Sequence, residues 1–544
     1  MSGLEGGIAP QESFTPDERQ ALAPHFTNLD GPVFALRNLP EVVKGALFAR
    51  YSRSAKSLRR LFLDEFLAPA GGSAPLVPPG GAPDSQVGET RAGQLYERVF
   101  SDYGDDSVAQ LGGAHLACEG VSNILTKVLE WGRLMAYLEQ STRYVSYADR
   151  PGGHWKYIVP PELASHPIGV AYRSALDDAF SVYARWLAPL DALYAARAPR
   201  AAGDSEAVWK RSIRARTLDT LRGLLPAATR SNVGLYGTGQ AWEALLLRLR
   251  AHPLAEARDC GEQILTELRH VIPAFLRRVD QAERGVAWSG YLAGIRERTA
   301  ETAARLTAGV EPEARPEVVL TDFDPDGEIK VIAAALYPHT VLPDDQLLAL
   351  VRRFGAAERE EVLRAAVGDR RNRRHKPGRA FERTLYRFDI LTDYGAFRDL
   401  QRHRLLTIDW QPLSPRFGYL LPEDVLEAGA GDDWRRVMEG AAAVHDRLVE
   451  AGLGRVAGYA VPLACRIRFC MEMNAREAMH LIELRTAPQG HPSYRRVCLE
   501  MQRLIEQVAG HAAIAGAMTF VDRSAPELGR IEAERAAERR RGKA

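Results

Sequence analysis

The chain has 544 residues, with 46% hydrophobic and 26% charged residues, a balance typical of a soluble globular protein with roughly two to four domains. Lys+Arg 71 against Asp+Glu 70 leaves no global charge for holding polyanions, so a nucleotide site must come from local clustering. The five cysteines (Cys118, Cys260, Cys465, Cys470 and Cys498) form no CxxC pair, which argues against a disulfide framework or zinc ribbon and fits small buried fillers in a reducing cytoplasm.

Residues 1–35 are rich in Gly, Pro and charge and read as a flexible N-terminal arm. They have no basic start followed by an apolar core, and the chain has no run of about 18 apolar residues, so neither a signal peptide nor a membrane span is expected. A Pro/Gly-dense insertion covers residues 66–89. From His115 to Gln140, the residues Val121, Ile124, Val128, Trp131, Met135 and Leu138 recur at helical steps and predict one amphipathic helix. Tyr157–Val159 reads as a short strand, and GLYGTG at Gly234–Gly239 as a flexible turn rather than a dinucleotide-binding fingerprint. Residues 309–327 read as a linker, Ala464–Cys470 as a strand, Val497–Val508 as an amphipathic helix, and 529–544 as a charged tail.

The halves 36–308 and 328–528 resemble each other. Both His252 and His491 precede Pro, and an arginine and an amphipathic helix follow each. Both histidines are expected to sit in turns. Each half also runs from an apolar helix through arginine to Ser-x-Arg-aromatic: Arg133 to Ser141-Thr142-Arg143-Tyr144, and Arg404 to Ser414-Pro415-Arg416-Phe417. A tandem duplication is the reading, and its period is too long for a solenoid.

The triplet Arg402-His403-Arg404 suits an anion or a phosphate-bearing heterocycle, because guanidinium forks match phosphate geometry. His403, between two cations, is expected to have a lowered pKa and to act as a neutral hydrogen-bonding group. A solvated helix C-terminus is the competing reading.

RHR at 402–404, Arg133 followed after seven intervening residues by Ser141-x-Arg143-Tyr144, and Asn474-x-Arg476 with Glu483-Leu484-Arg485 resemble the motifs of the flavin-dependent thymidylate synthases, the ThyX family. The first half departs from that pattern with Trp131 and Gly132 where the leading Arg and His belong, and it lacks Asn-x-Arg. In the second half the serine comes two residues late. The upstream His-x-Ser pair is split between Ser107 and His375. The losses are complementary, so the reading is one composite site between the halves.

The resemblance implies an α+β, helix-rich fold of two related lobes, each a small sheet packed with long helices. It implies methylation of a uridylate-type nucleotide (dUMP to dTMP), with FAD as cofactor and NADPH and methylenetetrahydrofolate as co-substrates. Arg402, His403, Arg404, Ser107, Asn474, Arg476 and Glu139 would bind the cofactor. Glu139, Ser141, Arg143, Tyr144 and Arg485 would bind the nucleotide. Arg485 and Ser141 would be catalytic, with Arg485 stabilising charge on the ionising pyrimidine. For Arg143 the competing reading is a structural salt bridge, and for Arg485 a pair with Glu483. No metal, membrane or nucleic-acid partner is implied, and a homodimer of fused chains would form a pseudo-tetramer. The alternative function is an inactive paralogue that binds a nucleotide, flavin or protein partner. RNA binding through YSRSAKSLRR at Tyr51–Arg60 ranks last.

Overall fold

The computed structural model describes residues 13–52, 54–67, 110–201 and 204–524. The insertion beyond Leu67, Ser107 and the tail from 529 lie outside the described residues. The chain forms two compact units. The first comprises residues 1–118, 134–138 and 233–308, and the second comprises 119–133, 139–232 and 309–544. Parts of both sequence halves therefore belong to the second unit. No described helix is long and apolar enough to cross a membrane.

The fold is α+β and helix-rich, and it repeats one topology. The first sheet contains β1 (Gly113–Ser122), β2 (Met135–Glu139) and β3 (Arg230–Thr238), in the order β1-β3-β2. The second contains β4 (Val318–Phe323), β5 (Leu385–Asp393), β6 (Leu406–Trp410) and β7 (Arg466–Asn474), in the order β4-β5-β7-β6. Setting β4 aside, the strand order is the same in both.

The joints repeat as well. β1 runs straight into helix α1 (Asn123–Leu129), whose N-cap Ser122 accepts from the Leu125 amide. β5 runs into α4 (Tyr394–Leu400), capped by Asp393 accepting from the Ala396 amide. β3 enters helix Gly239–Arg250 through Thr238, and β7 enters α6 (Ala475–Arg485) through Asn474, each with a side-chain cap. Short polar side chains satisfy the orphan amides of a helix start, so a strand can become a helix without an intervening loop.

In the second unit, α2 (Ile168–Arg197), α3 (Glu206–Leu221) and α5 (Gly431–Glu450) pack together, while α7 (Pro492–Gln507) covers β4 and β5. Strands β5 and β7 bury alternate residues: Tyr386, Phe388 and Ile390 on one, Ile467, Phe469, Met471 and Met473 on the other. Period-2 burial against helices fixes the register, since a one-residue slip would turn every apolar side chain to the wrong face.

Several sequence readings are corrected. The single helix expected over 115–140 is strand, helix and strand, because Ser122 caps a new helix and the chain turns at Glu130–Arg133. Gly234–Gly239 is no flexible turn. It finishes β3 and opens a helix, and Cβ atoms at Gly237 and Gly239 would come within 2.8 Å of Met135 and 2.7 Å of Phe275. Glycine here serves close approach rather than mobility. Tyr157 makes an isolated bridge to Thr229 instead of starting a strand. The segment expected as an arm holds helix Pro16–Leu22 with a complete capping box, and the segment expected as a linker holds β4. Strand β7 and the amphipathic helix at Val497–Val508 are present, although Val508 is the C-cap.

Candidate functional site

The RHR triplet follows the C-cap Gln401 of α4 and leads into β6. It borders a buried network of charges in the second unit, drawn from both sequence halves. Glu139 ends β2, and its carboxylate accepts from Arg398 Nη2 (2.6 Å), Arg402 Nη2 (2.8 Å) and Lys127 Nζ (3.1 Å). Lys127 also donates to Glu130 at 2.5 Å. The Glu139 side chain has no exposure, and Arg398 and Lys127 are buried with it. The surrounding cations overcome the desolvation cost and hold the Glu139 carboxyl far below the usual carboxylate range.

Asp399, also buried, lies 3.3 Å from Arg222 and 3.7 Å from Arg402. Against its burial, the fields of Arg402, Arg222, Arg485 and Arg143 hold it strongly ionised. Arg143 gives a two-pronged grip to Asp219, with Nε at 2.5 Å and Nη2 at 2.6 Å. Its Nη1 donates to Tyr494 Oη at 2.9 Å, and Nη2 also donates to the Gln489 carbonyl at 3.0 Å. The Tyr494 ring lies 5.9 Å from the Arg143 guanidinium and 5.6 Å from that of Arg485. Arg143 and Arg485 therefore share one aromatic neighbour.

His403 is neutral in a defined tautomer. Its Nε2 accepts from Arg485 Nε at 3.1 Å, so the proton is on Nδ1, which donates to Glu477 at 2.9 Å. Its pKa lies well below normal, as expected, but burial is the main cause, followed by Arg485 and Lys376. Burial raises the Glu477 carboxyl. Arg485 is half-buried, and among the described residues its guanidinium makes a hydrogen bond through Nε and not through its two terminal nitrogens. Glu483 pairs instead with Arg370 at 2.6 Å.

The remaining residues named from the sequence are less central. Ser141 Oγ accepts from the Arg143 amide at 3.2 Å and shapes the turn. Tyr144 is exposed. Arg404 is exposed beside β6. Asn474 Oδ1 accepts from the Glu477 amide, and Arg476 Nε donates to the Pro377 carbonyl. Both His252 and His491 use Nδ1 to accept an amide two residues on, as turn histidines do. His491 does more: its Nε2 donates to the Asp219 carbonyl at 3.3 Å. Lys127, Asp219, Arg222, Arg398, Asp399 and Tyr494 belong to the network and carry no motif of their own.

His403, Glu477 and His480 place possible metal-ligand atoms within 4.8 Å of one another. The donor set does not suit a cation, because the His403 nitrogen facing Glu477 carries a proton and the other faces Arg485. The chemistry suits an anion better. Leu406 of β6 lies opposite Met473 of β7, so Arg404 and Arg476 reach the same end of the sheet.

Comparison with known proteins places the repeat in a family. The profile described as "Thymidylate synthase complementing protein" (Thy1) matches residues 74–274 and again 318–510. A UPF0159 protein of Chlamydia muridarum is 39% identical over 532 residues, covering 97% of this chain and 99% of the relative. A UPF0159 protein of Thermoplasma acidophilum is 29% identical over 519 residues, covering 90% and 97%. Among solved structures, the UMP/dUMP methylase PolB of Streptomyces cacaoi bound with 5-Br dUMP aligns with 37% of this chain and 94% of its own, at 19% identity and a TM-score of 0.29.

Proposed function

The chain belongs to the Thy1 family of thymidylate synthase complementing proteins, and from that premise we propose that it is a thymidylate synthase-like nucleotide methylase acting on a uridylate-type nucleotide at one composite site. The observation that carries this reading is Arg485. Its open guanidinium edge stands beside Tyr494, with Arg143 from the other sequence half on the same ring.

In this reading Arg143 and Arg485 face the nucleotide. A fixed cation next to a pyrimidine that ionises lowers the barrier by holding charge as it develops. Arg485 is kept in place by the His403 lone pair, and His403 by Glu477. Glu139 is a positioning residue, because its carboxylate is fully engaged in holding Arg398 and Arg402. Ser141 sets the turn that presents Arg143. FAD would be held by Arg402, Arg404, Asn474 and Arg476, and when bound it supplies hydride chemistry. NADPH and methylenetetrahydrofolate would be the co-substrates, and the working form a homodimer of fused chains. The reaction is tested by tritium release from labelled deoxyuridylate with FAD, NADPH and methylenetetrahydrofolate present. Release that depends on Arg485 supports the reading, and its absence from flavin-loaded protein overturns it.

One observation favours a second reading, a non-catalytic paralogue that binds a nucleotide, flavin or partner. Asp219 already occupies the fork of Arg143 that a phosphate would need. Flavin-loaded protein that binds deoxyuridylate and releases no tritium supports it.

A further inference from the structure

After the Ser141 turn the chain forms the loop Arg150-Pro151-Gly152-Gly153-His154-Trp155. Gly152 and Gly153 have φ values of 63° and 83°, and a Cβ on either would meet nothing within 4 Å. The loop thus turns away and stays open on one side. Beyond it, the Arg230 amide donates to the Lys156 carbonyl at 2.8 Å, and Arg230 Nε donates to the Tyr157 carbonyl at 3.1 Å. Tyr157 Oη donates to Asp177 on α2 at 2.8 Å. Loop, α2 and the start of β3 enclose a cavity of about 680 Å³ within the second unit.

Its charges are uneven. Arg150, Lys156, Arg173 and Arg230 line it, with His154 and a single carboxylate, Asp177. Asp177 is engaged by Tyr157, and Lys156 pairs with Asp149 at 2.5 Å. Arg150, Arg173 and Arg230 have no ion-pair partner among the described residues: Arg150 lies 3.8 Å over the Trp155 ring, and the other two donate to backbone carbonyls. Trp155 in turn stacks on Phe180, with centroids 5.6 Å apart. Elsewhere in the unit even exposed arginines such as Arg496 and Arg436 have carboxylate partners. Three uncompensated forks converging on one concavity are a receptor for more than one negative charge.

We propose that this cavity is a second anion site, separate from the RHR turn, that takes the polyphosphate of a free nucleoside di- or triphosphate. Its volume is that of a small-molecule pocket, and Trp155, held between Arg150 and Phe180, senses whatever Arg150 binds. A nucleic-acid strand fits less well, because the cations surround a concavity rather than line a groove, and the whole chain balances 71 basic against 70 acidic residues.

The test uses the full chain, ADP as probe, and the emission of Trp155 taken as the difference between wild type and Trp155→Phe. ADP should change that emission saturably, and adenosine should not. The double variant Arg150→Ala/Arg173→Ala should weaken the ADP response by at least about tenfold, since each lost fork removes a charge-assisted contact. Both side chains are exposed, so circular dichroism should show an unchanged fold. Arg402→Ala should leave the Trp155 response in place, which separates this site from any flavin pyrophosphate site. No Trp155 response together with no calorimetric heat overturns the proposal. So does an equal response in the double variant, or a single-stranded oligonucleotide that displaces ADP at lower concentration than ADP itself binds.

Discussion

Glu139 and Arg402 meet at 2.8 Å although 263 residues separate them in the sequence. The contact joins the last residue of β2 to the first residue of the RHR triplet, so each half of the repeat contributes one partner. Its energetics are asymmetric. Arg402 is one-third exposed and can return to water, whereas Glu139 and Arg398 cannot. Glu139→Ala leaves Arg398 buried without a carboxylate and should cost about 3–5 kcal/mol. Arg402→Ala leaves Glu139 with Arg398 and Lys127 and should cost about 1 kcal/mol. Urea midpoints at pH 7 compare the two, and equal losses would show that the network does not depend on Glu139.

Arg143 and Asp219 form a second pair, and here neither side chain is much exposed. Removing either alone strands a buried charge, whereas removing both does not. The single variants Arg143→Ala and Asp219→Ala should each cost about 3 kcal/mol or more, and the double variant less than their sum. Arg143→Lys should not rescue, because an ammonium cannot supply both Nε and Nη2 to Asp219 while reaching Tyr494 and Gln489. A double-mutant cycle measures the coupling, and additive losses would mean the fork contributes nothing of its own.

The sequence made the motif residues legible and left most of their partners hidden. RHR, Ser-x-Arg-Tyr and Asn-x-Arg stand out because several unusual residues recur at fixed spacing. Asp219 and Asp399 do not, since one aspartate in a helix reads as a solvated charge. Lys127 offered a signal: it falls within the apolar run that led to the expectation of one long helix, and a buried lysine needs a carboxylate. Arg222 offered another, three residues after Asp219 and just before Leu224 and Leu225. The repeated strand-to-helix joints were legible only as similarity between halves, because their capping residues differ: Ser122 against Asp393, and Thr238 against Asn474.

Buried neutral histidines give the pH dependence. Burial pushes His491 down to about 3 and His480 to about 4, and it keeps His403 well below normal. Between pH 6.5 and those values the unfolded chain takes up protons that the native state refuses. Stability therefore falls as pH falls through this window, by roughly 1.4 kcal/mol per pH unit for one such histidine. Asp219, Asp399 and Glu139, with lowered pKa values, add to the loss below about pH 4, the unfolded carboxylate range. Glu477, raised by burial, works in the opposite direction. His491→Gln keeps a donor toward the Asp219 carbonyl but has no proton to gain, so its urea midpoint should drop less between pH 7 and pH 5 than that of wild type. An equal drop would show that His491 titrates normally.

In the proposed reaction the Arg485–His403–Glu477 chain separates the cation from its support. Arg485→Ala removes the charge, and if that charge stabilises the ionising pyrimidine, kcat for tritium release should fall about 100- to 1000-fold with a smaller change in KM. His403→Phe keeps the Arg485 charge but removes the lone pair that fixes it at 3.1 Å, and it leaves Glu477 without its donor. Its kcat should fall by about tenfold, since a mobile cation is less well preorganised. His403→Asn offers an amide oxygen to Arg485 and an amide N–H to Glu477, and it should recover part of the loss. A merely structural His403 would lower stability in both variants without this recovery of kcat. Equal kcat in wild type and Arg485→Ala would remove Arg485 from the chemistry altogether.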